Sequence, residues 1–191
     1  MAKTESTFKN MLLSLTLISL GASAALGYVY EFTKGPIELS ILNKKLDAIK
    51  NVVPDFTNNP NEEMYKLPSG DGDSLEVYPA RKDGELIGVA VKTFSKKGYS
   101  GMISLMAGFK PDGTIINITI LEQKETPGLG TKMGEPGFKD QFIGKNPNEF
   151  KLKVKKDGGK VDAITAATIS SRAFCEAIQK AHDALMKGGL K

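Results

Sequence analysis

Residues 11–30 read MLLSLTLISLGASAALGYVY, 20 consecutive positions without a charge. As a helix rising 1.5 Å per residue, such a run is long enough to cross a hydrocarbon core of about 30 Å. Tyr28 and Tyr30 suit the aromatic belt of a membrane interface, and Gly35-Pro36 predicts a break before the next element. A cleaved secretory signal is the alternative, because Lys9 precedes the run and Ala22-Ser23-Ala24 resembles a small-residue cleavage site. A signal core is about 7–15 residues long, shorter than this run, so an uncleaved single-pass helix is the preferred reading. Lys3 and Lys9 precede it while Lys34, Lys44 and Lys45 follow, and this basic-residue balance does not choose a side.

Beyond the apolar run the pattern changes period. Over 37–53, Ile41 or Leu42, Leu46, Ile49 and Val53 recur at helical spacing between Lys44, Lys45, Asp47 and Lys50, which predicts an amphipathic helix stopped by Pro54. Residues 57–73 are rich in Asn, Pro, Gly and acid and read as loop. Four β-branched or aliphatic runs follow at 75–80, 86–94, 102–109 and 115–121, separated by Lys82-Asp83-Gly84, Lys97-Gly98-Tyr99-Ser100-Gly101 and Pro111-Asp112-Gly113. Connections this short join antiparallel neighbours. A glycine-rich stretch at 128–137, a short helix at 138–143 and a half-exposed strand at 151–155 come next. Phe174, Ala177, Ile178, Ala181 and Leu185 then mark the apolar face of a terminal helix that Gly188-Gly189 ends. The expected fold class is α+β: a transmembrane anchor at 1–36, an amphipathic helix and loop at 37–74, and a mainly antiparallel sheet with flanking helices at 75–191.

Composition narrows the chemistry. Of 191 residues, 40% are hydrophobic and 25% charged, an ordinary globular balance. Cys175 is the one cysteine and His182 the one histidine, so disulfide frameworks, multi-cysteine metal centres and iron–sulfur clusters are excluded. The net charge of +4 is dispersed over 26 basic and 22 acidic residues, which argues against nucleic-acid binding. His182 and Cys175 read as structural residues of the last helix. Lys151, Lys153, Lys155 and Lys156 read as a solvated strand face, with docking of an acidic partner as the alternative.

Two segments exceed what folding requires. Glu125-Thr126-Pro127-Gly128-Leu129-Gly130 follows a strand and brings a glycine-rich backbone to the end of the sheet, where it could lie flat against a ligand. The spacing of Gly128, Gly130 and Gly134 is not that of a dinucleotide fingerprint, and a plain tight turn is the competing reading. The second segment, Asp162-Ala163-Ile164-Thr165-Ala166-Ala167-Thr168-Ile169-Ser170-Ser171, sets four hydroxyls before the final helix. Ser170 or Ser171 would serve as an N-cap. Thr165 and Thr168 would then stand where the positive end of a helix dipole favours a phosphate.

Together these motifs resemble the flavin-binding domain of the G subunit of Rnf complexes, the ion-translocating ferredoxin:NAD oxidoreductases, and the related C subunit of the sodium-translocating NADH:quinone reductase. The resemblance covers the anchor, the Lys97–Gly101 KGYSG turn, the strand pair through Phe109 and Leu121, the ETPGLG loop and the DAITAATISS segment. In the family an Asp followed by Ser/Thr-Gly-Ala-Thr carries FMN as a phosphoester on the final Thr. The resemblance therefore implies attachment on Thr168, with Ala167 before it, Thr165 as the first hydroxyl and Asp162 upstream. Ala166 stands where the family usually has Gly; if that position needs a positive φ, the added Cβ strains the loop. Further cofactor contacts implied are Glu125, Thr126, Gly128, Leu129, Gly130, Tyr99, Ser100 and Ser171, of which Leu129, Thr126 and Tyr99 would form the wall of the ring site.

No His or Cys neighbours Thr168 in the sequence, so a separate flavin transferase is implied for coupling. The function implied is a membrane-anchored electron carrier with FMN, working beside the other subunits of an Rnf-type complex that moves Na⁺ or H⁺, with its domain extracytoplasmic. The chain itself would bind neither NAD, nor a metal, nor nucleic acid. The alternatives are the quinone-reductase C subunit, which usually carries longer insertions, and a flavin-free anchored binding module.

Overall fold

The computed structural model describes residues 7–189, and Lys3 lies outside them. The chain divides into two compact units, Met1–Asn43 and Lys44–Lys191. Helix α1 (Phe8–Val52) forms the described part of the first unit, and its last turns belong to the second. In the first unit its apolar side chains, Leu12, Leu15, Ile18 and Leu26 among them, stand exposed, and the helix is long and apolar enough to cross a membrane. The break expected at Gly35-Pro36 is absent, because α1 runs through Pro36. Proline holds φ near −65°, itself a helical value, and removes one hydrogen bond from the ladder. Long helical segments on both sides carry that loss. Deleting residues 1–30 is expected to move the protein from the membrane fraction to the soluble fraction, measured by ultracentrifugation after lysis; retention in the membrane pellet would reveal a second anchoring surface.

In the second unit five strands form an antiparallel meander in sequence order: β1 (Tyr65–Pro68), β2 (Ser74–Lys82), β3 (Glu85–Ser95), β4 (Ile103–Phe109) and β5 (Ile115–Glu122). The four expected strands are present, and β1 is an addition within the segment read as loop. Its Leu67 is buried and its Pro68 sits at the sheet edge, where a missing N–H leaves no gap in the ladder. Both faces of the sheet are covered. Val77, Val89, Val91, Leu105 and Ala107 point to one face and pack with Phe174, Ile178 and Leu185 of helix α3 (Thr168–Gly188). Tyr78, Ala80, Ala90 and Met106 point to the other and pack with Ala48, Ile49 and Val52 of α1. Every residue of β4 is buried in consequence.

The close of α1 is held by more than apolar contact. Asn117 Nδ2 donates to the Asn51 carbonyl at 2.8 Å, and Lys45 and Lys92 reach Glu76 at 3.3 and 3.5 Å. The Tyr78 hydroxyl donates to Glu76 as well. Burial pushes the Glu76 carboxyl up, but the Tyr78 hydroxyl and the two lysines outweigh it and hold the group below its usual range.

After β5 the chain makes a tight helical turn at Gly130–Gly134 and a one-turn helix α2 (Pro136–Lys139), shorter than and displaced from the helix expected at 138–143. Phe138, Phe142 and Phe174 form an aromatic trio with centroids 5.0–5.4 Å apart that fixes this segment under α3. The strand expected at 151–155 is instead a compact knuckle. Leu152 and Val154 are buried as the alternation suggests, yet Val154 makes only a single bridge to Val161, and Gly158 at φ 72° turns the chain back. Lys155 pairs there with Asp162 at 2.6 Å.

Candidate functional site

Strand register decides which loops meet. Ser95 pairs with Ile103 and Ser104 with Glu122, so the turn leaving β3 and the loop leaving β5 emerge at the same end of the sheet. Helix α3 is keyed to that end by two polar contacts. The Thr93 hydroxyl donates to the Ala177 carbonyl at 2.8 Å, and the Ser95 hydroxyl donates to Glu176 at 3.0 Å. The first turn of α3 therefore arrives beside the β3–β4 turn and the ETPGLG loop.

Between these three segments lies a cavity of about 470 Å³, within the range of ligand pockets. The loops supply Tyr99, Glu125, Thr126, Leu129 and Gly130, and the start of α3 supplies residues 166–170. Of the residues implied by resemblance, Tyr99, Glu125, Thr126, Leu129, Gly130, Ala167 and Thr168 line it. Thr165 is exposed outside the lining. Asp162 is exposed and bound to Lys155 and Gln141, Ser100 contributes a backbone N–H behind the wall, Gly128 holds a turn at φ 73°, and Ser171 is buried in the helix. Ile169 and Ser170 also line the cavity, and sequence reasoning does not single them out for it. An apolar side chain amid hydroxyls is the available signal for Ile169, which is exposed on the cavity rim.

The helix begins at Thr168, earlier than the expected caps. Ala167 is the N-cap and offers no side-chain hydrogen bond. Ser171 instead staples the preceding turn: its hydroxyl accepts the Ile164 N–H at 3.0 Å and donates to the Ala167 carbonyl at 2.9 Å. The first-turn N–H groups of α3 thus face the cavity end without a side-chain acceptor, an arrangement that suits an anion. The Thr168 hydroxyl is half-buried and, among the described residues, has no hydrogen-bond partner.

Ala166 has φ 61°. The left-handed conformation costs a residue with a Cβ about 1–2 kcal/mol, so the strain anticipated for alanine in place of glycine is present. Ala166→Gly removes it and returns about 0.4–1 kcal/mol to the unfolded chain as entropy. The variant is expected to melt about 2–4 °C higher in a thermal denaturation scan; an unchanged or lower midpoint would show the turn to be unstrained.

In the cavity wall, Glu125 is 4% exposed. Its Oε1 accepts the Ser100 N–H at 3.0 Å and its Oε2 accepts the Ser170 hydroxyl at 2.5 Å. The wall of the cavity nearer solvent is apolar, with Leu129 39% and Tyr99 69% exposed. The two single-copy residues stand apart from this chemistry. Burial pushes the Cys175 thiol up to about 12, which keeps it protonated. His182 lies at the opposite end of the sheet. It is buried with its ring centroid 6.2 Å from that of Phe109, and neither ring nitrogen is hydrogen-bonded among the described residues. No group of three or more His, Cys, Asp or Glu among the described residues is arranged to hold a metal.

Comparison with known proteins adds four findings. The model of the FMN-binding domain matches residues 98–183, which contain all three cavity segments. The chain is 36% identical to the G subunit of the Na⁺-translocating ferredoxin:NAD⁺ oxidoreductase complex of Acetobacterium woodii, over 87% of this chain and 86% of that one. It is 31% identical to the G subunit of the ion-translocating oxidoreductase complex of Aliivibrio fischeri, over 92% and 89% respectively. Among solved structures, NqrC of Shewanella oneidensis superimposes with a TM-score of 0.47 at 24% identity, covering 69% of this chain and 71% of that one.

Proposed function

This chain belongs to the G-subunit family of ion-translocating oxidoreductase complexes, and from that premise we propose that Thr168 carries FMN through a phosphoester, with the flavin lying in the cavity between the ETPGLG loop and the start of α3. It is a membrane-anchored flavin electron-transfer subunit. The observation that carries the attachment is the convergence of two motifs some forty residues apart on one 470 Å³ cavity around a half-buried threonine hydroxyl. The residues present fit the group. The uncapped first turn of α3 receives the phosphate, a favourable placement of about 0.3–1 kcal/mol for a single negative charge. Leu129, Ile169 and the Tyr99 ring offer apolar surface to the isoalloxazine, and Gly130 lets the loop close on the Glu125–Ser170 contact, where a Cβ would stand 2.7 Å from both side chains.

FMN, once bound, supplies the electron chemistry. The chain holds it, keeps it from diffusing and screens one side from water. A threonine hydroxyl is a weak nucleophile without a neighbouring base. His182 is at the far end of the sheet and Cys175 is buried as the thiol, so coupling is the work of a separate flavin transferase. The other subunits of an ion-translocating complex are the electron donor and acceptor, and the domain is extracytoplasmic. The test is acid-resistant flavin fluorescence that migrates with the chain on a denaturing gel after co-expression with a flavin transferase. A dark band would leave a flavin-free anchored module.

The loop assignment has its own readout. Leu129→Glu sets a carboxylate at the ring and is expected to lower the reduction potential by about 60 mV for a one-electron couple, the equivalent of about 1.4 kcal/mol. Spectroelectrochemical titration of the flavin-loaded variant measures it, and a fully loaded variant at the wild-type potential would remove the loop from the ring.

A further inference from the structure

Glu125 is the buried carboxylate of the described core, and among the described residues no cation forms an ion pair with it. Burying such a group without a counter-charge is costly, and the cost is ordinarily met by pairing. Here it is met by the Ser100 N–H and the Ser170 hydroxyl, one on each oxygen. Two glycines give it room. A Cβ on Gly98 would stand 2.7 Å from its Oε1, and one on Gly130 would stand 2.7 Å from its Oε2. Three segments are thus shaped around a carboxylate that is hydrogen-bonded but has no cationic partner among the described residues, in the wall of the cavity that Thr168 also lines. A neutral side chain of the same size could tie those segments at lower cost, because a glutamine makes the same two contacts once the Ser170 hydroxyl turns to accept.

We infer that Glu125 is the potential-setting residue of the site: its fixed charge opposes the gain of an electron by the flavin and holds its reduction potential low. The inference rests on the reading that flavin occupies this cavity. In the step concerned, one electron passes from a donor subunit to the flavin, the ring gains one negative charge, and no bond is made or broken. A negative charge held in a water-poor wall raises the free energy of that product relative to the oxidised ring.

The experiment is a spectroelectrochemical titration of the full-length, flavin-loaded chain as wild type, Glu125→Gln and Glu125→Asp. Glu125→Gln is expected to keep its covalent flavin, which Thr168 bears, and to melt no lower than wild type. At a fixed potential its ratio of reduced to oxidised flavin rises about tenfold, a displacement of about 59 mV to the positive side for a one-electron couple. Glu125→Asp shortens the tie but keeps the charge, so it melts lower and titrates near the wild-type potential. A fully loaded Glu125→Gln at the wild-type potential overturns the inference. So does a Glu125→Gln variant that folds but lacks flavin, since that makes Glu125 part of attachment. If Glu125→Gln does not fold, Ser170→Ala takes its place: removing one donor leaves the charge less compensated and moves the potential negative, and an unmoved potential overturns the inference. A wild-type chain without flavin fails both this inference and the proposed function, a result seen on the denaturing gel before any titration.

Discussion

Thr168→Ala is expected to abolish covalent flavin completely while the chain melts as wild type. The two halves have separate physical causes. Attachment needs an oxygen nucleophile at the first residue of α3, and alanine has none. Stability needs the fold of that turn, which is fixed by the Ser171 staple, the Ala167 carbonyl and the aromatic trio, none of which touches the Thr168 hydroxyl. Alanine is moreover the best helix former. Thr168→Ser keeps a hydroxyl on the same carbon and should recover part of the flavin. Thr165→Ala should keep it, since Thr165 stands outside the cavity lining. Intact-mass spectrometry of chains co-expressed with a flavin transferase decides the matter. An FMN-sized increment on the Thr168→Ala chain would place the bond elsewhere.

The second large effect is structural. Gly108→Ala is expected to cost most of the stability of the second unit. A Cβ at this position would collide with the Val52 carbonyl oxygen and lie 2.5 Å from its carbon. The obstacle is main chain at the end of α1, so no rotamer change relieves it. Either β4 bends or the close of α1 lifts away, and the second course uncovers Ala48, Ile49, Val52, Tyr78, Ala90 and Met106 together. Overpacking usually costs about 1–3 kcal/mol, and loss of an apolar cluster adds to it within a total stability of about 5–15 kcal/mol. Urea denaturation followed by circular dichroism should give a midpoint far below that of wild type. A midpoint within error of wild type would mean that α1 does not seat on β4.

Periodicity carries the sheet because both its signals are local: apolar runs broken by Asp-Gly and Lys-Gly turns leave antiparallel pairing as the only short-range arrangement. It fails where a distant partner decides. β1 exists because Leu67 finds the core and its backbone finds β2, and neither fact is written in a Pro- and Asn-rich segment. The lysine-rich 151–155 alternates as a strand would, but Gly158 folds it back before it can lengthen its pairing. At the site, the two motifs are legible as excess glycine and hydroxyl. That Ser170 faces Glu125 across 45 positions of sequence is not, because such pairings follow from β5 and α3 reaching the same end of the sheet. The start of α3 differs from expectation for a related reason: Ser170 and Ser171 have the chemistry of caps, yet their hydroxyls are drawn inward by buried partners.

Cys175 sits two turns into α3 with its sulfur sealed by the core. In the native chain a maleimide or disulfide reagent has nothing to react with at neutral pH, so a cysteine introduced on the surface can be modified alone in the otherwise natural sequence. The same burial makes the native thiol a clock. Its modification waits on the helix lifting from the sheet, and the rate at which reagent is consumed in dilute denaturant counts those openings directly. Comparing that rate before and after flavin loading would measure how far the cofactor steadies the end of the helix that bears it.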